Sequence, residues 1–279
     1  MRRALLVLVL VVFAGCGSRK PNAVRLDPAL ATLVPSDTIL LVGARLDALR
    51  STPLYRKLGA GAAPGLLGGL DIDNVWELLA ASNGRDTAVM ARGKFATATG
   101  QEPEIARPGA TRTPYKGYAL VGLGDSAVLF MNPTMAIVGT PAALRGIIDQ
   151  RGVSTGPPAP LAAELDAIPP ETQLWAAGAG PRLAAIVPRA GNAANLANVF
   201  KLIDRFHAAA DLRSGARIDA VALCPSDRDA ESLAGAVNAL AAFAGLGRRG
   251  VALRVTQQQA AVRVEGTVPE EVIESFLPH

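Results

Sequence analysis

Gly152-Val153-Ser154-Thr155-Gly156 matches Gly-x-Ser-x-Gly by letter, and Asp204 and His207 follow it along the chain. A serine nucleophile of that kind sits on a sharp turn between a strand and a helix. Here the preceding segment reads as a helix ending near Asp149, and Pro157-Pro158 follows the motif, so the stretch has the composition of a linker. His207 falls at the end of an amphipathic segment, where an imidazole faces solvent or caps carbonyls. A hydrolase using Ser154 and His207 stays open as the weakest of three functional readings.

Other chemistry is sparse. Cys224 ends the apolar run Ile218-Asp219-Ala220-Val221-Ala222-Leu223, which reads as a strand carrying a small buried thiol. Asp71-Ile72-Asp73 starts like a calcium loop. Val75, Trp76 and Ser82 then stand where an oxygen ligand, a glycine and a glutamate are needed, so the two aspartates read as chemistry for starting a helix. Gly178-Ala179-Gly180 follows a strand, but Leu183 occupies the position of a third glycine for a dinucleotide turn. Two histidines and, apart from Cys16, one thiol, none at ligand spacing, leave no expected metal or cofactor and no catalytic set.

The elements that position these residues alternate between two periods. Leu30 to Leu33 gives a helix signal, and a strand follows Pro35 through Gly43. Leu46 to Leu58 reads as one helix or two turns around Pro53, and Gly59 to Gly69 as a loop of small residues. Asn74 and Glu77 have capping-box spacing and predict a helix through Ala81. Strands are expected near Thr87 to Ala91, Tyr115 to Gly122, Ala127 to Met131 and Ala136 to Val138, with a long loop from Gly100 to Pro114. Leu196, Val199, Phe200, Ile203 and Phe206 share one helical face and predict a helix from Asn195 to His207. Ser226, Asp227, Asp229 and Glu231 start another helix, with Leu233, Val237 and Leu240 as its buried stripe. A hairpin turns near Gln257-Gln258-Gln259, and a last helix runs from Glu270 to Phe276.

Three landmarks recur in order. Pro35-Ser36-Asp37-Thr38 returns as Pro170-Glu171-Thr172 after Pro169, Asp86 to Ala91 returns as Asp219 to Cys224, and Gly139-Thr140-Pro141 returns as Gly266-Thr267-Val268-Pro269. The pattern predicts an α+β fold of two similar lobes, each a mainly antiparallel sheet with helices on one face. The expected divisions are 1–15 for a leader, 16–28 for a tether, 29–151 and 163–279 for the lobes, and 152–162 for the linker between them. A groove between the lobes is the default place for a ligand.

The leader is the most specific stretch. Arg2 and Arg3 precede an unbroken apolar run from Ala4 to Ala14, which ends at Gly15-Cys16-Gly17-Ser18. At 1.5 Å per residue that run covers about half of a ~30 Å hydrocarbon core, which suits a cleaved signal rather than a membrane span. Phe13-Ala14-Gly15-Cys16 resembles the lipobox of bacterial lipoproteins, with phenylalanine in the place usually held by leucine. The resemblance implies cleavage before Cys16, diacylglycerol on its thiol and a further acyl group on the new amino terminus. Gly17 stands where an acidic residue would retain some such proteins at the inner membrane, so the resemblance favours the outer membrane.

Removing the leader takes away Arg2 and Arg3 and lowers the formal net charge from +4 to +2. Near-neutral charge, few aromatics and no basic cluster with interleaved rings exclude an electrostatic footprint for nucleic acid. The sequence therefore predicts a lipid-anchored cell-envelope protein, held to the membrane through Cys16, with its body in the periplasm or at the cell surface. Its expected role is non-catalytic binding or scaffolding with an envelope protein as partner, and the alternative is a small-ligand binder using the interlobe groove.

Overall fold

The computed structural model describes residues 26–58, 70–95, 109–180, 182–186, 193–243, 247 and 250–274. The leader, Cys16, the Gly59 to Gly69 loop and most of the Gly100 to Pro114 loop lie outside these residues. The protein is α+β. Its strands are β1 (Leu40–Arg45), β2 (Val75–Ser82), β3 (Thr87–Gly93), β4 (Thr111–Tyr115), β5 (Tyr118–Leu123), β6 (Ser126–Asn132), β7 (Met135–Gly139), β8 (Leu174–Ala179), β9 (Arg205–Asp211), β10 (Ala216–Leu223), β11 (Ala252–Gln258) and β12 (Ala261–Val268).

All twelve join one sheet in the order β11-β12-β10-β9-β8-β1-β2-β3-β7-β6-β5-β4, and every pairing is antiparallel. The halves of the chain meet where β1 pairs with β8, from Leu40 opposite Gly178 to Ala44 opposite Leu174. Reading outward from that seam, β1-β2-β3-β7-β6 on one side has the same connectivity as β8-β9-β10-β12-β11 on the other. The recurring landmarks also sit in step: Pro35 and Pro169 precede β1 and β8, and the Gly-Thr pairs lie at the ends of β7 and β12.

Helices cover both faces. Helix α1 (Pro28–Ala31), α4 (Pro141–Gln150) and α5 (Ala159–Leu165) close one face of the first half and of β8. The core there contains Leu30, Leu41, Leu79, Met90, Leu129, Ile137, Leu144, Ile147, Leu161 and Trp175. The opposite face is covered by α2 (Leu46–Arg50) and α3 (Pro53–Leu58), with Leu46, Leu49, Val75, Phe95 and Phe130 in its core. In the second half α6 (Ala193–Phe200) precedes β9, and α7 (Asp227–Phe243) covers β10, β12 and β11 through Ala230, Leu233, Val237, Val255 and Val262. Ser226 caps α7, accepting from the Asp229 amide at 3.1 Å and donating to the Asp229 carboxylate at 2.6 Å. A short α8 (Glu270–Glu274) ends the described chain.

Four local expectations are corrected. Asn74 to Ala81 is not a helix: the Asn74 amide donates to Asp71, a single 3-10 turn covers Ile72–Asn74, and Val75 starts β2. Leu79 and Ala81 are buried there against Leu41 and Ala88, because a central strand between β1 and β3 overrides the helix propensity of Leu and Ala. The helix expected through His207 stops at Phe200, whose closing turn carries Leu202 N to Val199 O and Ile203 N to Phe200 O. Phe206 meets Phe200 from β9, their rings 6.0 Å apart in an edge arrangement, and its place three residues after Ile203 extends the apparent helical period.

Tyr115 to Gly122 divides into β4 and β5 at a two-residue turn, where Lys116 and Gly117 both have positive φ. That is the turn whose twist matches a hairpin. The expected linker 152–162 is also shorter, because α5 begins at Ala159 and buries Leu161.

Candidate functional site

Among the residues with chemistry, the fold gathers Glu164, Arg205 and His207. Glu164 projects from α5 onto the face of β9 that carries Arg205 and His207, and only 6% of it is exposed. Arg205 Nε lies 3.2 Å from one carboxylate oxygen, and His207 Nδ1 lies 2.8 Å from the other. A carboxylate on one ring nitrogen orients an imidazole and leaves Nε2 for other work. The strands beside it supply no nucleophile, since Ala177 and Val221 stand opposite His207 in β8 and β10. No group of three His, Cys, Asp or Glu side chains able to hold a metal occurs among the described residues. The cluster's clear physical effect is to fasten α5 to the second half of the sheet.

The other sequence candidates are dispersed. Ser154 lies in the turn after α4, where its hydroxyl donates to Val34 O at 3.5 Å and accepts from the Gly156 amide at 3.4 Å. Neither contact involves His207. The Asp204 backbone links Gly180 and Leu223, at the start of β9. His207 is a mid-strand residue rather than a helix-end one, and Glu164 is the residue that sequence reasoning missed. The sequence sets it apart by no signal, since Asp166 stands two residues on among the same apolar residues Leu161, Leu165 and Ile168, all buried.

Cys224 follows β10 and is buried with Ala230, Leu233 and Val262. Burial first, and the nearby Asp229 second, push its thiol pKa up, away from a reactive thiolate. Gly178 is required by packing, because a Cβ there would meet Cε1 of Phe206 at 2.3 Å, and Gly180 is a turn residue with φ of +104°.

Two of the cavities among the described residues each lie within one half. The first, about 260 Å³, is lined by Pro35, Asp37, Asn83, Asp86, Gly146 and Gln150. Several of its polar side chains are engaged with one another, since Asn83 donates to Asp37 at 2.7 Å and Asp86 accepts from Thr140 at 2.9 Å, whereas the buried Thr38 hydroxyl in the same lining has no partner among the described residues. The second, about 590 Å³, lies on β10, β12 and β11 and is lined by Arg217, Asp219, Arg254, Glu265 and Thr267 with their backbone neighbours.

The fold has known counterparts. Crystal forms I, III and IV of TP0453 superpose with TM-scores of 0.54, 0.57 and 0.52, at 12%, 11% and 10% sequence identity. Each comparison covers 90% of this chain and 96%, 97% and 96% of the TP0453 chain respectively. At that identity the likeness shows the shared fold and nothing finer. No family model matches the chain, and no curated protein matches it. No helix among the described residues is long and apolar enough to cross a membrane.

Proposed function

We propose that this is a lipid-anchored cell-envelope protein whose α+β body is a non-catalytic binding or scaffolding module. The observation that carries the reading is the leader, in which Arg2 and Arg3, the apolar run Ala4 to Ala14 and Phe13-Ala14-Gly15-Cys16 stand in the order of a lipoprotein signal. Acyl groups on Cys16 supply the anchor, since two or three chains hold a protein on a bilayer where one binds marginally. Gly17 after the cysteine supports delivery to the outer membrane. Ser154 bonds to Val34 and Gly156 while His207 bonds to Glu164, which weighs against a hydrolase built on Ser154 and His207.

The test is metabolic labelling with a palmitate analogue in cells expressing the full chain or Cys16→Ser. The expected result is label on the native protein and membrane sedimentation, both lost in Cys16→Ser. Native protein that carries no label, or a variant that keeps it, would overturn the anchor. Crosslinking of the labelled protein in cells then reads the partner.

A further inference from the structure

The two edges of the sheet are built differently. Strand β4 is short, consists of Thr111-Arg112-Thr113-Pro114-Tyr115, and carries a proline that cannot donate along its edge. Proline, charge and brevity are the usual guards of an edge strand. Strand β11 has none of the three apart from Arg254: its seven residues, Ala252-Leu253-Arg254-Val255-Thr256-Gln257-Gln258, pair with β12 without a bulge. Its counterpart by position outward from the seam is β6, and β6 is covered by β5 in antiparallel register from Leu120 opposite Leu129 to Leu123 opposite Ser126. Among the described residues β11 has no such neighbour.

The side chains flanking this open edge define what fits it. On one face Arg254 stands opposite Glu265, but Arg263 takes the carboxylates of both Asp219, at 2.7 Å, and Glu265, at 3.3 Å. Arg217 and Arg254, which both line the 590 Å³ cavity, have no carboxylate partner among the described residues. On the other face Val255 joins the apolar cluster under α7, and Leu240 continues the Leu233 and Val237 stripe of that helix while remaining 47% exposed.

We propose that the outer edge of β11 docks an extended segment of another protein, added antiparallel as a further strand. Its apolar side chains lie on the α7 face and an acidic side chain lies beside Arg254. Main-chain hydrogen bonds supply affinity in such additions, and alternate side chains supply specificity. A second copy of this chain fits less well. Antiparallel pairing of two β11 strands about Val255 sets Arg254 opposite Thr256 and brings two uncompensated arginines onto one face.

The inference names the partner chemistry of the binding reading and rests on it. The experiment uses the full chain and fluorescent peptides of about seven residues, alternating Val with Glu, Val with Lys, or Val with Glu and N-methylated at every second nitrogen. Anisotropy reads affinity, and hydrogen exchange reads the amides of 252–258. The expected result is binding of the Glu peptide at least about tenfold tighter than the Lys peptide, reversal of that order in Arg254→Glu, and slowed exchange in β11. The N-methylated peptide is expected not to bind. Equal affinity for the two charges, undiminished binding of the N-methylated peptide, or concentration-dependent self-association through β11 would each overturn the proposal. Failure here leaves acylation of Cys16 standing, and an unacylated Cys16 leaves the peptide result standing.

Discussion

A carboxylate as enclosed as that of Glu164 is stable only with donors on both oxygens, and Arg205 and His207 supply them. Glu164→Ala is therefore expected to lower stability by about 1–3 kcal/mol, because both donors lose their acceptor at the α5 interface. Glu164→Gln keeps an acceptor and is expected to lose less; urea unfolding of the native protein and the two variants measures the differences, and three equal stabilities would show the cluster to be inert. Asp211 presents the opposite environment at the surface. The Arg213 side chain above all, with burial opposing it and the Arg213 backbone amide and Gln173 adding to it, holds its carboxyl well below the usual carboxylate range. With the folded value depressed, the stabilisation is present above the ordinary aspartate pKa of about 3.9 and is lost as pH falls through the lower folded value. The gap in Tm between the native protein and Asp211→Asn should thus be widest near neutrality and narrow on acidification. A gap independent of pH would remove the ion pair as its cause.

At the scale of elements, the seam depends on two glycines set against aromatic rings. A Cβ on Gly43 would lie 2.1 Å from Cε2 of Trp175, its register partner in β8, and Gly178 stands likewise against Phe206 in β9. Gly43→Ala is expected to cost about 1–3 kcal/mol through displacement of the Trp175 ring. Trp175→Leu in the same chain should recover part of that cost, and thermal unfolding of the single and double variants checks it. These pairings also explain which elements were legible. The Ser226 cap, the helix after Thr140 and the strand at Thr87 appear where local chemistry placed them. Strand β2 did not, since Glu77-Leu78-Leu79-Ala80-Ala81 has helical letters and becomes a strand only between the distant β1 and its hairpin partner β3. His207 was misplaced for a related reason: Phe206 stands three residues after Ile203, as on a helix face, but packs on Phe200 from a strand. Glu164 was silent because a lone carboxylate on a short helix acquires meaning only once β9 lies beneath it.

For the whole molecule, the α+β class was legible from the alternation of helical and strand periods, and the strand order is the same outward on either side of the β1–β8 seam. The extra pieces, β4 and β5 on one side and α7 on the other, are what make the halves unequal. The seam also has a consequence for biosynthesis. Leu40–Arg45 is made early, yet one of its two neighbours, Leu174–Ala179, is made well over a hundred residues later. Until that segment arrives, the middle strand of the finished sheet is an outer one, and its unpaired amides are open to any passing chain. Such distant pairing slows folding and leaves intermediates prone to association. A polypeptide of this topology therefore benefits from being kept unfolded until the whole of it has been made.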